Sequence, residues 1–198
     1  MVKIITFYGV GANPEMLKAQ SKVMAKFKIE HEQILTDLSH SAAIDFYVTL
    51  HKADVYIFFD LDCIPLNDTI VKRAIEYAKA GKVFGCAQNA NHIPNNKDYA
   101  SSFFIAFSEE TFNKVERPSF AAHQYGDVAS ELSYRIGHKN VALLYPTKCE
   151  NVKWQLSNGD VFGLGTTYGN DIYHAFESRH HNESEGMFLN KCKEVLNG

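Results

Sequence analysis

Two aspartates, Asp60 and Asp62, follow the unbroken apolar run Val55 to Phe59 in the segment VYIFFDLDCIPL. Residues two apart in an extended chain face the same way, so both carboxylates project into one space beyond the end of a strand. In open α/β sheets that is where ligands bind. Two carboxylates so close repel each other beside a dry strand, and a cation joining them removes the cost. Hard oxygen donors suit Mg²⁺ or Mn²⁺. The competing reading is a turn that aspartate initiates ahead of Pro65; the wholly apolar strand delivering the pair favours the ion.

A second acidic pair stands in GDVASEL, where Asp127 and Glu131 are spaced to share one face of a helix. Either could take a proton from a hydroxyl or hold a polar substrate. Equally, Asp127 could cap the helix and favour its dipole while Glu131 faces solvent. Near the C-terminus, DIYHAFESRHH gathers His174, Arg179, His180 and His181. His180 and His181 read as solvated residues leading into a last helix. Trp154, the only tryptophan, is a candidate platform for a sugar ring or a buried anchor.

The elements that must position these residues alternate. Val2 to Tyr8 reads as a buried strand, with Gly9 and Gly11 after it suiting close approach or positive φ. Asn13-Pro14 opens a helix whose Met16, Leu17, Val23, Met24 and Phe27 share a face. Strands at Glu32 to Leu35 and Asp54 to Phe59 enclose a helix from Ala43 to His51, a parallel-sheet rhythm. A helix from Asn67 or Asp68 to Ala80, strands at Lys82 to Ala87 and Ser102 to Phe107, and a short helix opened by Ser108 follow. Asp127 to Ile136 is expected to be helical and Val141 to Tyr145 a strand. Trp154 to Tyr173, rich in Gly, Asn and Thr, is expected to form turns and a mobile lid. The last helix runs from Glu183 to Leu196, with Asn182 and Glu185 at capping-box spacing.

A chain of 198 residues, 45% hydrophobic, can build the core of one domain spanning residues 1–198 without metal or disulfide staples. Its net charge of −3 argues against a nucleic-acid partner, because nothing attracts it globally to phosphate. Cys63, Cys86, Cys149 and Cys192 form no CxxC pair and read as buried or idle thiols. With no secretory signal or membrane-length apolar run, a cytoplasmic location is expected.

The apolar strand, the Asp-x-Asp motif and the apolar residues after it, YIFFDLDCIPL here, resemble the GT-A-fold nucleotide-diphosphosugar glycosyltransferases, including the family-8 type. The resemblance implies an α/β, Rossmann-like GT-A fold in which a mixed, mainly parallel sheet is flanked by helices. It implies transfer of a sugar from a nucleotide diphosphosugar, a UDP-sugar above all, to a glycan or small-molecule hydroxyl. Asp60 and Asp62 would reach a Mn²⁺ or Mg²⁺ bridging the donor diphosphate, with Asp60 also near the ribose. His174 matches the metal-binding histidine that such enzymes take from their C-terminal segment, and imidazole suits Mn²⁺ better than Mg²⁺. Arg179 could fork onto a diphosphate oxygen. The nucleotide corner would comprise Thr6, Tyr8 and Gly9 with Asp37, Tyr8 against the base and Asp37 on its edge. Ser101 and Ser102 would line the donor sugar, and Asp127 or Glu131 would serve the acceptor.

FFDLD also resembles the first motif of haloacid-dehalogenase-like phosphatases, with GDVASE imitating a later one. However, Cys63 and Ile64 replace the Gly and Thr that family expects, and its nucleophile strand lies nearer the N-terminus. A non-catalytic nucleotide-sugar-binding protein is the other alternative.

Overall fold

The computed structural model describes residues 1–94, 96–178 and 182–198. Its first half alternates as the sequence predicts: β1 (Val2–Tyr8), α1 (Pro14–Lys26), β2 (Glu32–Leu35), α2 (His40–Leu50) and β3 (Val55–Phe59). Asn13 accepts from the Glu15 N–H at 2.8 Å and Pro14 takes the first helical position, so α1 starts at its capping signal. Helix α2 starts at His40, ahead of the expected Ala43, because the Ser39 hydroxyl caps it through the Ala42 N–H.

The chain then turns through Asp60 to Asp62 into a short strand, β4 (Cys63–Pro65), followed by α3 (Ile70–Lys79), β5 (Val83–Gln88), β6 (Tyr99–Ser108) and α4 (Glu109–Lys114). The remainder comprises α5 (Ser130–Ile136), β7 (Val141–Leu144), β8 (Pro146–Gln155), β9 (Val161–Tyr168), β10 (Ile172–Ala175) and α6 (Asn182–Asn197). A six-stranded sheet has the order β2-β1-β3-β6-β5-β7. It is mixed and mostly parallel: β2 with β1, β1 with β3 and β5 with β7 run parallel, and β6 runs against both its neighbours.

Both faces of this sheet are covered, which is why β3 reads as a continuous apolar run. Val55, Ile57 and Phe59 pack with Ile70, Ala74 and Ala78 of α3, whereas Tyr56 and Phe58 pack with Ile44, Tyr47 and Val48 of α2. A third cluster joins α1 and α6 through Met16, Val23, Phe188 and Cys192 to Ile64 of β4 and Tyr173 of β10. Among the described residues no helix is long and apolar enough to cross a membrane.

The expected lid is instead part of a second, antiparallel sheet of order β4-β10-β9-β8. Gly163 and Gly165 belong to strand β9, whereas Gly159 and Gly169, at φ 94° and 54°, occupy the turns before and after it. A Cβ at Gly163 would lie 2.1 Å from the Asn151 carbonyl oxygen, and one at Gly165 would lie 2.8 Å from the Tyr173 hydroxyl. Close approach of neighbouring chain at these positions requires glycine within β9. Trp154, on β8, is half-buried and packs its ring 5.4 Å from both Phe162 and Phe176, against the edge of the core. Gly9 and Gly11 are also not demanded by the backbone: neither has positive φ, and a Cβ would meet nothing closer than 3.9 Å.

Candidate metal and donor site

Strand β3 stops where the Asp60 N–H donates to the Phe103 carbonyl at 2.9 Å, and a tight turn follows, closed by the Cys63 N–H on the Asp60 carbonyl at 3.1 Å. The turn leads into β4, which pairs with β10 so that Cys63 lies opposite His174. The small sheet thereby carries a residue from the C-terminal part of the chain to the carboxyl end of the central strand. Asp60, Asp62 and His174 each present a potential ligand atom, and these atoms all lie within 4.8 Å of one another.

His174 is held rigidly. Its ring stacks on Phe103 with centroids 4.0 Å apart and an interplanar angle of 12°, and Phe176 meets it at 4.0 Å and 63°. Its Nε2 lies 3.1 Å from Asp62 Oδ1, and the buried Nδ1 has no hydrogen-bond partner. The Ser178 hydroxyl donates to the other Asp62 oxygen at 2.6 Å. His40, at the start of α2, places Nε2 3.1 Å from Asp60 Oδ1, near enough for charge pairing but misaligned for a hydrogen bond, so both buried atoms remain unsatisfied. Unsatisfied buried polar atoms are costly and uncommon. Two carboxylates with imidazole form a donor set that fits Mn²⁺.

Burial acts to push the Asp62 carboxyl up, but His174 and the Ser178 hydrogen bond outweigh it and hold the group below the ordinary carboxylate value. The neighbouring Cys63 thiol is raised well above its usual value by burial and then by Cys86, Asp60 and Asp62, so it stays protonated and is a poor ligand or nucleophile.

These groups lie on the wall of a cavity of about 720 Å³, which Tyr8, Gly9, Ser101, Ser102 and Asp127 also line. Of the residues expected to hold donor or acceptor, Thr6, Asp37 and Glu131 lie outside the lining. Thr6 is fully buried within the sheet, beside Gln33 of β2 and Phe59 of β3. Asp37 is exposed in the loop that follows β2. Glu131 is engaged by Arg135 Nε at 2.6 Å and by His123 Nε2 at 3.2 Å.

Asp127 does not share a helix face with Glu131, because α5 begins only at Ser130, after Ala129 at φ 69°. Asp127 instead accepts from the Val128 N–H at 2.8 Å and faces the cavity. Arg179, with His180 and His181, lies outside the described residues. The sequence also left unmarked the roles of His40, Phe103 and Ser178. Phe176, two residues after His174 and so on the same side of the extended chain, is the one local signal of an enclosed imidazole.

Five carboxylates line the cavity, Asp60, Asp62, Asp127, Glu177 and Glu185, and no Lys or Arg stands among its described lining residues. An anionic ligand entering here meets repulsion unless a cation accompanies it or lies outside the described residues.

No protein-family model matches the chain, and no curated protein matches it. Solved structures with a similar course include A197 from STIV, at 15% identity and a TM-score of 0.46, over 72% of this chain and 82% of that one. A glucose-1-phosphate thymidylyltransferase from Bacillus anthracis, crystallised with a sucrose, is 8% identical with a TM-score of 0.47, over 73% of this chain and 87% of that one. HddC from Yersinia pseudotuberculosis is 9% identical with a TM-score of 0.44, over 73% and 90%. Likeness at this level assigns no activity, and the side chains of the cavity must carry the functional reading.

Proposed function

We propose that this chain is a metal-dependent, GT-A-like glycosyltransferase that moves a sugar from a nucleotide diphosphosugar, a UDP-sugar above all, to a hydroxyl of a glycan or small molecule. The observation carrying this reading is the convergence of Asp60, Asp62 and His174 on the wall of a cavity of about 720 Å³. That volume suits an extended polar ligand.

Asp60, Asp62 and His174 hold Mn²⁺, or Mg²⁺ less well because of the imidazole. When bound, the ion supplies Lewis-acid stabilisation of the charge that builds on the departing diphosphate. Phe103 and Phe176 fix the His174 ring and keep water from its buried side. Tyr8 and Gly9, at the end of β1, bind the nucleotide. Ser102 faces the sugar, and Asp127 accepts a hydrogen bond from a sugar or acceptor hydroxyl. His40 flanks Asp60, its Nε2 3.1 Å from Oδ1.

The test is a panel of nucleotide sugars incubated with the protein and Mn²⁺, with release of nucleoside diphosphate as the readout. UDP release from one or more UDP-sugars, abolished by a chelator, is the expected result. Release unaffected by the chelator, or none from any nucleotide sugar with acceptor present, would remove the proposal.

A further inference from the structure

We infer that Gln20 is a positioning residue for the metal-binding turn, fixing the spacing of Asp60 and Asp62 before an ion arrives; this rests on the metal reading proposed above. Gln20 lies on the inner face of α1 between Met16 and Val23, where apolar residues are the rule, and it is fully buried. A primary amide in such a place is unfavourable unless its hydrogen-bonding capacity is met.

Here it is met by the turn itself. Gln20 Nε2 donates to the Asp60 carbonyl at 2.7 Å and to the Cys63 carbonyl at 2.9 Å. Those two carbonyls belong to the first and last residues of the turn that contains Asp62. Gln20 Oε1 in turn accepts from Gln33 Nε2 at 3.0 Å. Gln33 also donates to the Leu17 carbonyl at 3.0 Å and accepts from the Ser21 hydroxyl at 3.0 Å. Gln33 therefore presents its amino group to Gln20 and fixes which end of the Gln20 amide faces the turn. From the opposite side, the Ala175 N–H holds the Asp62 carbonyl at 2.9 Å.

The turn is thus pinned between α1 and β10, one wall of the donor set tied to Gln20 and the other carrying His174. Neighbouring carboxylates repel, and a free turn would relax by moving Asp60 and Asp62 apart. Holding ligand groups in place beforehand avoids that rearrangement on binding, as outer-shell partners of metal ligands commonly do.

The test is Mn²⁺ binding to the full chain by titration calorimetry, well below the unfolding temperature of every protein compared. Gln20→Met keeps the volume of the side chain and removes its donors; it is expected to weaken Mn²⁺ binding about tenfold. Gln33→Met frees the Gln20 amide without touching the turn, and a smaller loss of roughly threefold is expected. Val23→Ala, a buried residue on the same helix, controls for lost packing and is expected to leave Mn²⁺ affinity within about twofold while lowering the melting temperature.

Wild-type affinity in Gln20→Met, or an equal loss in Val23→Ala, would overturn the role of Gln20 while leaving the metal site intact. Should Gln20→Met fail to fold, Gln33→Met decides, and an unchanged affinity there overturns the inference. A wild-type protein that takes up no Mn²⁺ instead overturns the metal reading and with it this role.

Discussion

The two ends of β3 treat their carboxylates in opposite ways. At its start, the partly buried Glu109 accepts from Arg117 at 2.6 Å, Tyr56 at 2.9 Å and Lys52 at 3.1 Å. Burial pushes the Glu109 carboxyl up, but these three donors outweigh it and leave it below the ordinary value. The Tyr56 hydroxyl, buried beside that carboxylate, is pushed up to about 12. At the other end, Asp60 and Asp62 meet two imidazoles and a serine hydroxyl, with no Lys or Arg among the described residues of the cavity wall. A carboxylate that serves the fold is supplied with cations by the chain itself. On the proposed function, the pair at the ligand-binding end receives its cation from solution.

Substitution at the metal end should give the largest effect. Asp62→Ala is expected to reduce sugar-nucleotide hydrolysis on the order of 1,000-fold or more while circular dichroism reports an intact fold. Near-normal turnover would make the two ends of β3 equivalent. Next in size is the contrast between Asp127 and Glu131. In steady-state kinetics Asp127→Asn should lower transfer about 100-fold, whereas Glu131→Gln stays within about twofold because Glu131 lies on the outer helix, engaged by Arg135. The reverse order would move the acceptor to α5.

Glu109→Gln should be smallest in activity and visible in stability, with a melting temperature about 2–4 °C lower at pH 7. Because the folded Glu109 is more acidic than the unfolded one, its contribution is present above the ordinary carboxylate value. That contribution is lost as pH falls through the depressed folded value. The gap between wild type and variant should therefore close on acidification, and a gap independent of pH would contradict the assignment.

The first strands and helices were legible because burial on both sheet faces leaves unbroken apolar runs such as Val55 to Phe59, and because Asn13 and Pro14 mark a helix start. The second sheet was not, since Gly163 and Gly165 resemble turn residues until the neighbouring strand is seen to exclude a Cβ. Asp60 and Asp62 announced themselves by their spacing, and a family resemblance pointed to His174. Their proximity depends on β4 pairing with β10, a contact between segments distant in sequence. Glu131 is equivalent to Asp127 only in a helix that begins at Asp127, and α5 begins at Ser130. Gln20 gave no signal, because a glutamine within a helix ordinarily reads as solvent-facing and its partners are backbone carbonyls of a remote turn.

The most direct measurement is the melting temperature of the protein with UDP, in Mn²⁺ and in chelator. A diphosphate held through an ion at Asp60, Asp62 and His174 must raise the melting temperature only when Mn²⁺ is present. The same rise in chelator would mean that UDP is gripped without the ion, and the proposed centre would be wrong.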